Sequence, residues 1–500
     1  MRHRKTLAIA VTALALVVPD SASAVRGPQI NWGTCGPDLQ AFQCATVEVP
    51  TDYDRPHGPT TTIAVTRLPA SDPAHKVGTL FVNFGGPGAA GVASIQQVAQ
   101  TAYSPELRAR FDILGFDPRG VGLSDPATCY PTAAEEAVVL AKLKEFPVTA
   151  QQERSYIADA AKMAAHCRTT SPERFKHFST ANVARDLDLL RQAVGDRKLN
   201  YLGYSYGTYL AATYAKLFPN KIRAMVMDGT LLPERYVGSK SEDLPFGARL
   251  RQGEGGYDSY QQFLLECQKA GDACALNALG DPKVVVEKLL EGLKTKPIGT
   301  FDYPAAVGYM FNSFYSSTSY PALAQTLADL VTQPKMRLAK EDYPSIGNAM
   351  QPCVETQKTG RPQDYPSYAD AADQRAPHFG RYRAWLGIHC EFLGLTDTDA
   401  FRGPWRNNVE QPVLVFGTRH DPATPYSTTR PFANLWPDAR MVTIEGWGHA
   451  TSFGASVCAD RMLTKYLITL AAPADGSTCQ QDRKPFDSLP TAATGHLSGS

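Results

Sequence analysis

A serine hydroxyl attacks a carbonyl only when a neighbouring base takes its proton. The segment "LGYSYGTYLAATYAKLFP" (202–219) sets Ser205 where such a group would be used, between Gly203 and Gly207 in a G-x-S-x-G pattern. With 39 glycines in 500 residues the pattern alone is a weak signal, and its bland reading is a small residue in a tight turn. The flanks decide against that. "LNYLG" reads as a strand, and "TYLAATYAKLF" reads as a helix stopped by Pro219. A sharp turn between them exposes the hydroxyl at the carboxyl edge of a sheet, at the positive end of a helix dipole. The chemistry of such a group is acyl transfer through a covalent intermediate.

For a nucleophile in this setting the acid and the histidine follow in the order Ser, Asp/Glu, His. "PVLVFGTRHDPATP" supplies Asp421 just after a strand, and "RMVTIEGWGHATSF" supplies His449 after the next one. His449 is expected to take the Ser205 proton and return it to the leaving group, while Asp421 orients the imidazole. His420 is a competitor that immediately precedes the acid, and Asp438 precedes a strand and so belongs at the opposite edge. Backbone donors for the developing oxyanion are expected at Tyr206, directly after the nucleophile, and in the loop "NFGGPGAAG" (83–91), where Gly86 is favoured. The loop is not G-x-G-x-x-G, so it gives no support to a dinucleotide cradle.

These side chains need a sheet to bring them together. Short apolar runs bounded by turn residues occur at 61–68, 77–84, 111–117, 199–203, 222–228, 412–417 and 440–445. Near-continuous apolar strands alternating with helical patterns such as "STANVARDLDLLRQAVG" (179–195) argue for an α/β fold with a mostly parallel sheet and helices on both faces. A helical insertion spans about 126–177. A longer one, 232–407, carries three helical periodicities and is too long for a loop, so it reads as an inserted helical cap. The core is thus expected in two parts, 25–231 and 408–472, with a polar tail at 473–500.

A basic start (Arg2, His3, Arg4, Lys5), the apolar run Thr6 to Val18 and "SASA" (21–24) have the layout of a secretory signal cleaved near Ala24, leaving a secreted chain with no membrane span. Its removal takes the formal net charge from +1 to −1. That balance argues against nucleic acid or acidic membranes as partners. The ten cysteines suit an oxidising compartment, and sequence neighbours suggest the bridges Cys35–Cys44, Cys129–Cys167, Cys267–Cys274, Cys353–Cys390 and Cys458–Cys479. Neither C-x-x-C nor H-E-x-x-H occurs, so neither a metal nor any other cofactor is expected.

Taken in order, "GGPG", "FDPRGVGLSDP", "GYSYGTYL", "DPATP" and "GWGHA", with "CATVEVPTDYDRP" near the start, resemble the exported actinobacterial tripeptidyl aminopeptidases, relatives of the proline iminopeptidases. The resemblance runs from about Trp32 to Cys479. It implies an α/β-hydrolase fold and a secreted serine exopeptidase, with Ser205 as nucleophile, Asp421 as acid and His449 as base. Asp117 to Arg119 match a signature taken as buttressing the glycine-rich loop. Phe84 stands where proline iminopeptidases have a histidine, and Gly446-Trp447-Gly448 replaces a more polar lead-in, which bears on substrate choice. An aminopeptidase also needs a carboxylate for the substrate ammonium, and Glu355 in "QPCVETQ" is a candidate, its bland alternative being a solvated surface acid. The leading expectation is release of short N-terminal peptides. The alternative is an esterase or amidase acting on a small metabolite, and a third class is a catalytically silent binding protein.

Overall fold

The computed structural model describes residues 29–143, 145–239, 243–333, 346–452 and 454–487; the expected signal segment and the end of the tail lie outside them. Ten strands form one sheet: β1 (Gly33–Thr34), β2 (Gln43–Pro50), β3 (Thr60–Leu68), β4 (Gly78–Asn83), β5 (Phe111–Phe116), β6 (Leu199–Tyr204), β7 (Ile222–Asp228), β8 (Val413–His420), β9 (Ala439–Trp447) and β10 (Ser477–Gln480). Their spatial order is β1-β2-β3-β5-β4-β6-β7-β8-β9-β10. The first three pairings, up to β3 with β5, are antiparallel. From β5 to β10 every pairing is parallel.

The apolar runs fit this arrangement because both faces are covered. β4, β5 and β6 are buried at every position. Alternate residues divide between two cores: Phe81, Tyr201, Met225 and Val415 enter one, whereas Val82, Leu202, Val226 and Phe416 enter the other. Between β7 and β8 all regular elements among the described residues are helical. They enclose their own core, built on Tyr260, Phe263, Phe311, Phe314, Tyr320, Phe379 and Trp385. A second helical stretch, with Ala133–Leu140 and Ala150–Thr170, falls between β5 and β6. Both of these helices open with a capping box, from Thr132 and Glu135 and from Thr149 and Gln152.

All five disulfides join the pairs expected from sequence. Cys129–Cys167 ties the loop after β5 to the long helix of the first insertion. Among the described residues no helix is long and apolar enough to cross a membrane.

Candidate active site

Ser205 is the single residue between β6 and the helix Tyr206–Leu217. Its backbone has φ 54° and ψ −123°, a conformation that non-glycine residues enter only under strain and that surrounding structure must hold. The holding is visible. The Ser205 N–H donates to the carbonyl of Asp228 on the adjacent strand at 2.9 Å. The flanking glycines are required by contact: a Cβ on Gly203 would lie 2.6 Å from the Gly207 carbonyl oxygen, and one on Gly207 would lie 2.7 Å from that of Asn83. The G-x-S-x-G spacing is therefore the packing condition for the turn.

Asp421 follows β8 and His449 follows β9. The His449 Nδ1 lies 2.9 Å from each Asp421 carboxylate oxygen. Both side chains are withdrawn from water, with 9 % and 1 % of their surface exposed. The carboxylate is fixed on all sides. Oδ1 accepts from the Ala423 and Thr424 N–H groups at 2.8 Å each, and Oδ2 accepts from Thr424 Oγ1 at 2.8 Å. Thr424 Oγ1 is also 3.2 Å from His449 Nδ1. Burial alone would lower the proton affinity of the imidazole; the charge and hydrogen bond of Asp421, then the charge of Asp228, outweigh it and leave the pKa above its ordinary value. Nδ1 is committed to the acid, and Nε2 is buried with no hydrogen-bond partner among the described residues.

The Ser205 turn and the imidazole share one rim. Gly229 directly follows the residue that receives the Ser205 N–H, and a Cβ on Gly229 would come within 3.0 Å of His449 Cε1. The glycine-rich loop after β4 reaches the same place. A Cβ on Gly85 would sit 2.8 Å from Ser205 Cβ and 3.0 Å from the Tyr206 nitrogen. The Gly85 N–H is spent on Asn83 Oδ1 at 3.0 Å. No acceptor for the Gly86 N–H is found among the described residues, so it is free to serve as a donor. The helix that follows this loop, Gly91–Ala102, is held from behind. Asp117 accepts from the Val92 N–H at 2.8 Å and the Leu123 N–H at 2.9 Å, and Arg119 forms a buried ion pair with Asp186 at 2.5 Å.

The competitors go elsewhere. His420 bonds Asp258 at 2.8 Å and stacks on Trp447, and Asp438 pairs with Arg440 ahead of β9. Glu355 is neither a surface acid nor open to a substrate amine. It is wholly buried, with its oxygens taken by the Thr180 N–H (2.9 Å), the Thr180 hydroxyl (2.7 Å) and the Tyr209 hydroxyl (3.5 Å).

Residues 80–271 match the family model described as alpha/beta hydrolase fold, and residues 376–479 match that of the TAP-like proteins. The chain has the α/β-hydrolase fold. Its relatives include the serine protease Hip1 of Mycobacterium tuberculosis, 29 % identical over 496 residues, with 91 % of each chain covered. The tripeptidyl aminopeptidase of Streptomyces coelicolor is 29 % identical over 486 residues, covering 91 % of this hydrolase and 87 % of the relative. A carboxylesterase B of Mycobacterium tuberculosis is 29 % identical over 490 residues, with 91 % of each covered.

Two residues of the hydrolase's site escaped the sequence reading. Thr424 had a local signal, a hydroxyl three positions after an aspartate in a turn, the spacing at which such groups bond each other. Asp228 had only its place at the end of an apolar strand before a glycine.

Proposed function

We propose that this hydrolase is a secreted serine exopeptidase of the TAP-like group, an aminopeptidase that releases short N-terminal peptides through an acyl-enzyme. The observation that carries the reading is the buried His449–Asp421 pair, joined at 2.9 Å, on the rim where the strained turn exposes Ser205. In this reading His449 Nε2 takes the Ser205 proton as the hydroxyl attacks the acyl carbon. The imidazolium formed is stabilised by the Asp421 carboxylate and then protonates the departing amine. The Tyr206 and Gly86 N–H groups receive the oxyanion, and one such donor is worth about 3 kcal/mol in the transition state. Water, activated by the same imidazole, then releases the acyl product. The role of peptides as substrate rests on the relatives named for protease and tripeptidyl aminopeptidase activity.

An esterase reading is favoured by one specific observation, the equal identity to a carboxylesterase. The two readings separate on a panel of tripeptidyl, dipeptidyl and aminoacyl chromogenic amides assayed beside short-chain esters. Amide cleavage that requires a free amino terminus supports the exopeptidase, and fast ester turnover without amide cleavage replaces it with the esterase. Ser205→Ala should abolish turnover in either case and block covalent labelling by a fluorophosphonate. Retained activity in that variant removes both readings.

A further inference from the structure

Asp228 is the last residue of β7 and is wholly buried. Its main chain and its side chain hold different parts of the site. The carbonyl accepts the Ser205 N–H at 2.9 Å. Carboxylate oxygen Oδ2 accepts from the Ser452 N–H at 2.8 Å and the Ser452 hydroxyl at 2.6 Å, three residues beyond His449. The intervening Ala450 has a left-handed φ of 55°, so the loop carrying the imidazole makes a tight turn that needs a fixed end. Oδ1 has no hydrogen-bond partner among the described residues. A carboxylate with an unpaired oxygen in a dry site is costly unless a positive charge forms nearby.

The ionisable groups that face it are Asp421 and His449 from the loops after β8 and β9, Tyr204 at the end of β6 and Asp460 from the helix Val457–Thr469. Only one of these can become a cation. We propose that Asp228 is a positioning residue for the acyl-transfer reaction, setting the Ser205 turn and the His449 loop in one register and favouring the imidazolium by its charge. The inference rests on the reading of Ser205 and His449 as nucleophile and base. Burial, the largest influence, pushes the Asp228 carboxyl up to about 6 against the opposing Ser452 bonds, so it is ionised at neutral pH, where the imidazole works.

Asp228→Asn keeps an oxygen for Ser452 and removes the charge. The pH profile of kcat/KM in this full-length variant should show its acid limb displaced toward lower pH by about one unit, since a nearby carboxylate raises a histidine pKa by one unit or more. A purely structural role would lower the rate without moving the limb. Ser452→Ala retains the charge and removes one of the two bonds. It should lower kcat severalfold at unchanged KM and leave the limb in place. An Asp228→Asn limb superimposed on that of the wild type overturns the proposal, as does a wild-type kcat for Ser452→Ala should the first variant fail to fold. Ser205→Ala, run beside them, keeps the two levels apart: if it is inactive while the limb is unmoved, the Asp228 assignment falls and the nucleophile stands.

Discussion

Glu355 joins the helical insertion to the hydrolase core, and the consequence is a pH-dependent stability that one substitution should remove. The carboxyl sits beneath Tyr206, Tyr209 and Tyr236 and bonds Thr180, whose hydroxyl lies 2.6 Å from that of Tyr206. Burial dominates, outweighing the two Thr180 bonds, and pushes its pKa from 4.5 up to about 7. The folded state therefore binds this proton more tightly than the unfolded chain does. The stabilisation is fully present below the unfolded value of 4.5 and is lost as pH rises through about 7. At 1.36 kcal/mol per unit the loss amounts to about 3 kcal/mol. Glu355→Gln resembles the protonated acid and should lack this dependence. The assay is guanidinium unfolding of the oxidised protein at pH 4.5, 6 and 8, followed by tryptophan fluorescence. Rearranged bonds to Thr180 add an offset common to every pH. The difference between the proteins should still move by about 3 kcal/mol across the range, in favour of Glu355→Gln at high pH. Asp228 and Asp460, both raised to about 6, contribute alike to wild type and variant and cancel. Parallel stability curves from pH 4.5 to 8 would refute the argument.

The acid limb of kcat/KM should lie above pH 6.5, because the imidazole must be neutral to act and its pKa is raised from that value; a profile flat down to pH ~4, measured on a chromogenic amide, contradicts His449 as base. Asp421→Asn should preserve the geometry but reverse the tautomer, lowering kcat by about 10⁴ with little change in KM. Gly85→Ala places a methyl 2.7 Å from the Tyr204 carbonyl oxygen at a φ of 91°, and should cost about 2–4 kcal/mol in unfolding free energy together with most of the activity.

Much of this was legible from local pattern. The seven apolar runs fall on strands of the sheet because those strands are buried on both faces, and a run buried on both sides needs no polar alternation. β2 was missed for the opposite reason: it alternates exposed and buried residues from Thr46 to Val49 and ends in Pro50, so it does not resemble its inner neighbours. Ser205, Asp421 and His449 were readable because each follows a strand, and a parallel sheet sends all those ends to one edge. Glu355 was not. Its burial depends on Thr180, 175 positions earlier, and on three tyrosines from two other elements. No local window contains that information. The same holds for Asp228, whose partner Ser452 lies 224 residues away.

The sheet alone does not bring His449 to Ser205. β6 and β9 are separated by β7 and β8, so Ser205 and the end of β9 stand three strand spacings apart, about 14 Å. The His449 loop must cross two strand ends, and its supports come from both sides of that gap. From the core, Asp228 holds Ser452. From the helical insertion, the Tyr315 carbonyl accepts the His449 N–H at 2.9 Å, Ser316 pairs with Gly448, and the Tyr315 ring stands edge-on to the imidazole with centroids 5.1 Å apart. The insertion therefore takes part in building the site. It supplies a backbone acceptor that fixes the His449 loop, so displacement of the segment around Tyr315 would alter the reach of His449. That coupling explains the glycine at 448: a Cβ there would lie 2.8 Å from the Tyr315 carbonyl oxygen, and only a bare backbone lets the two segments meet.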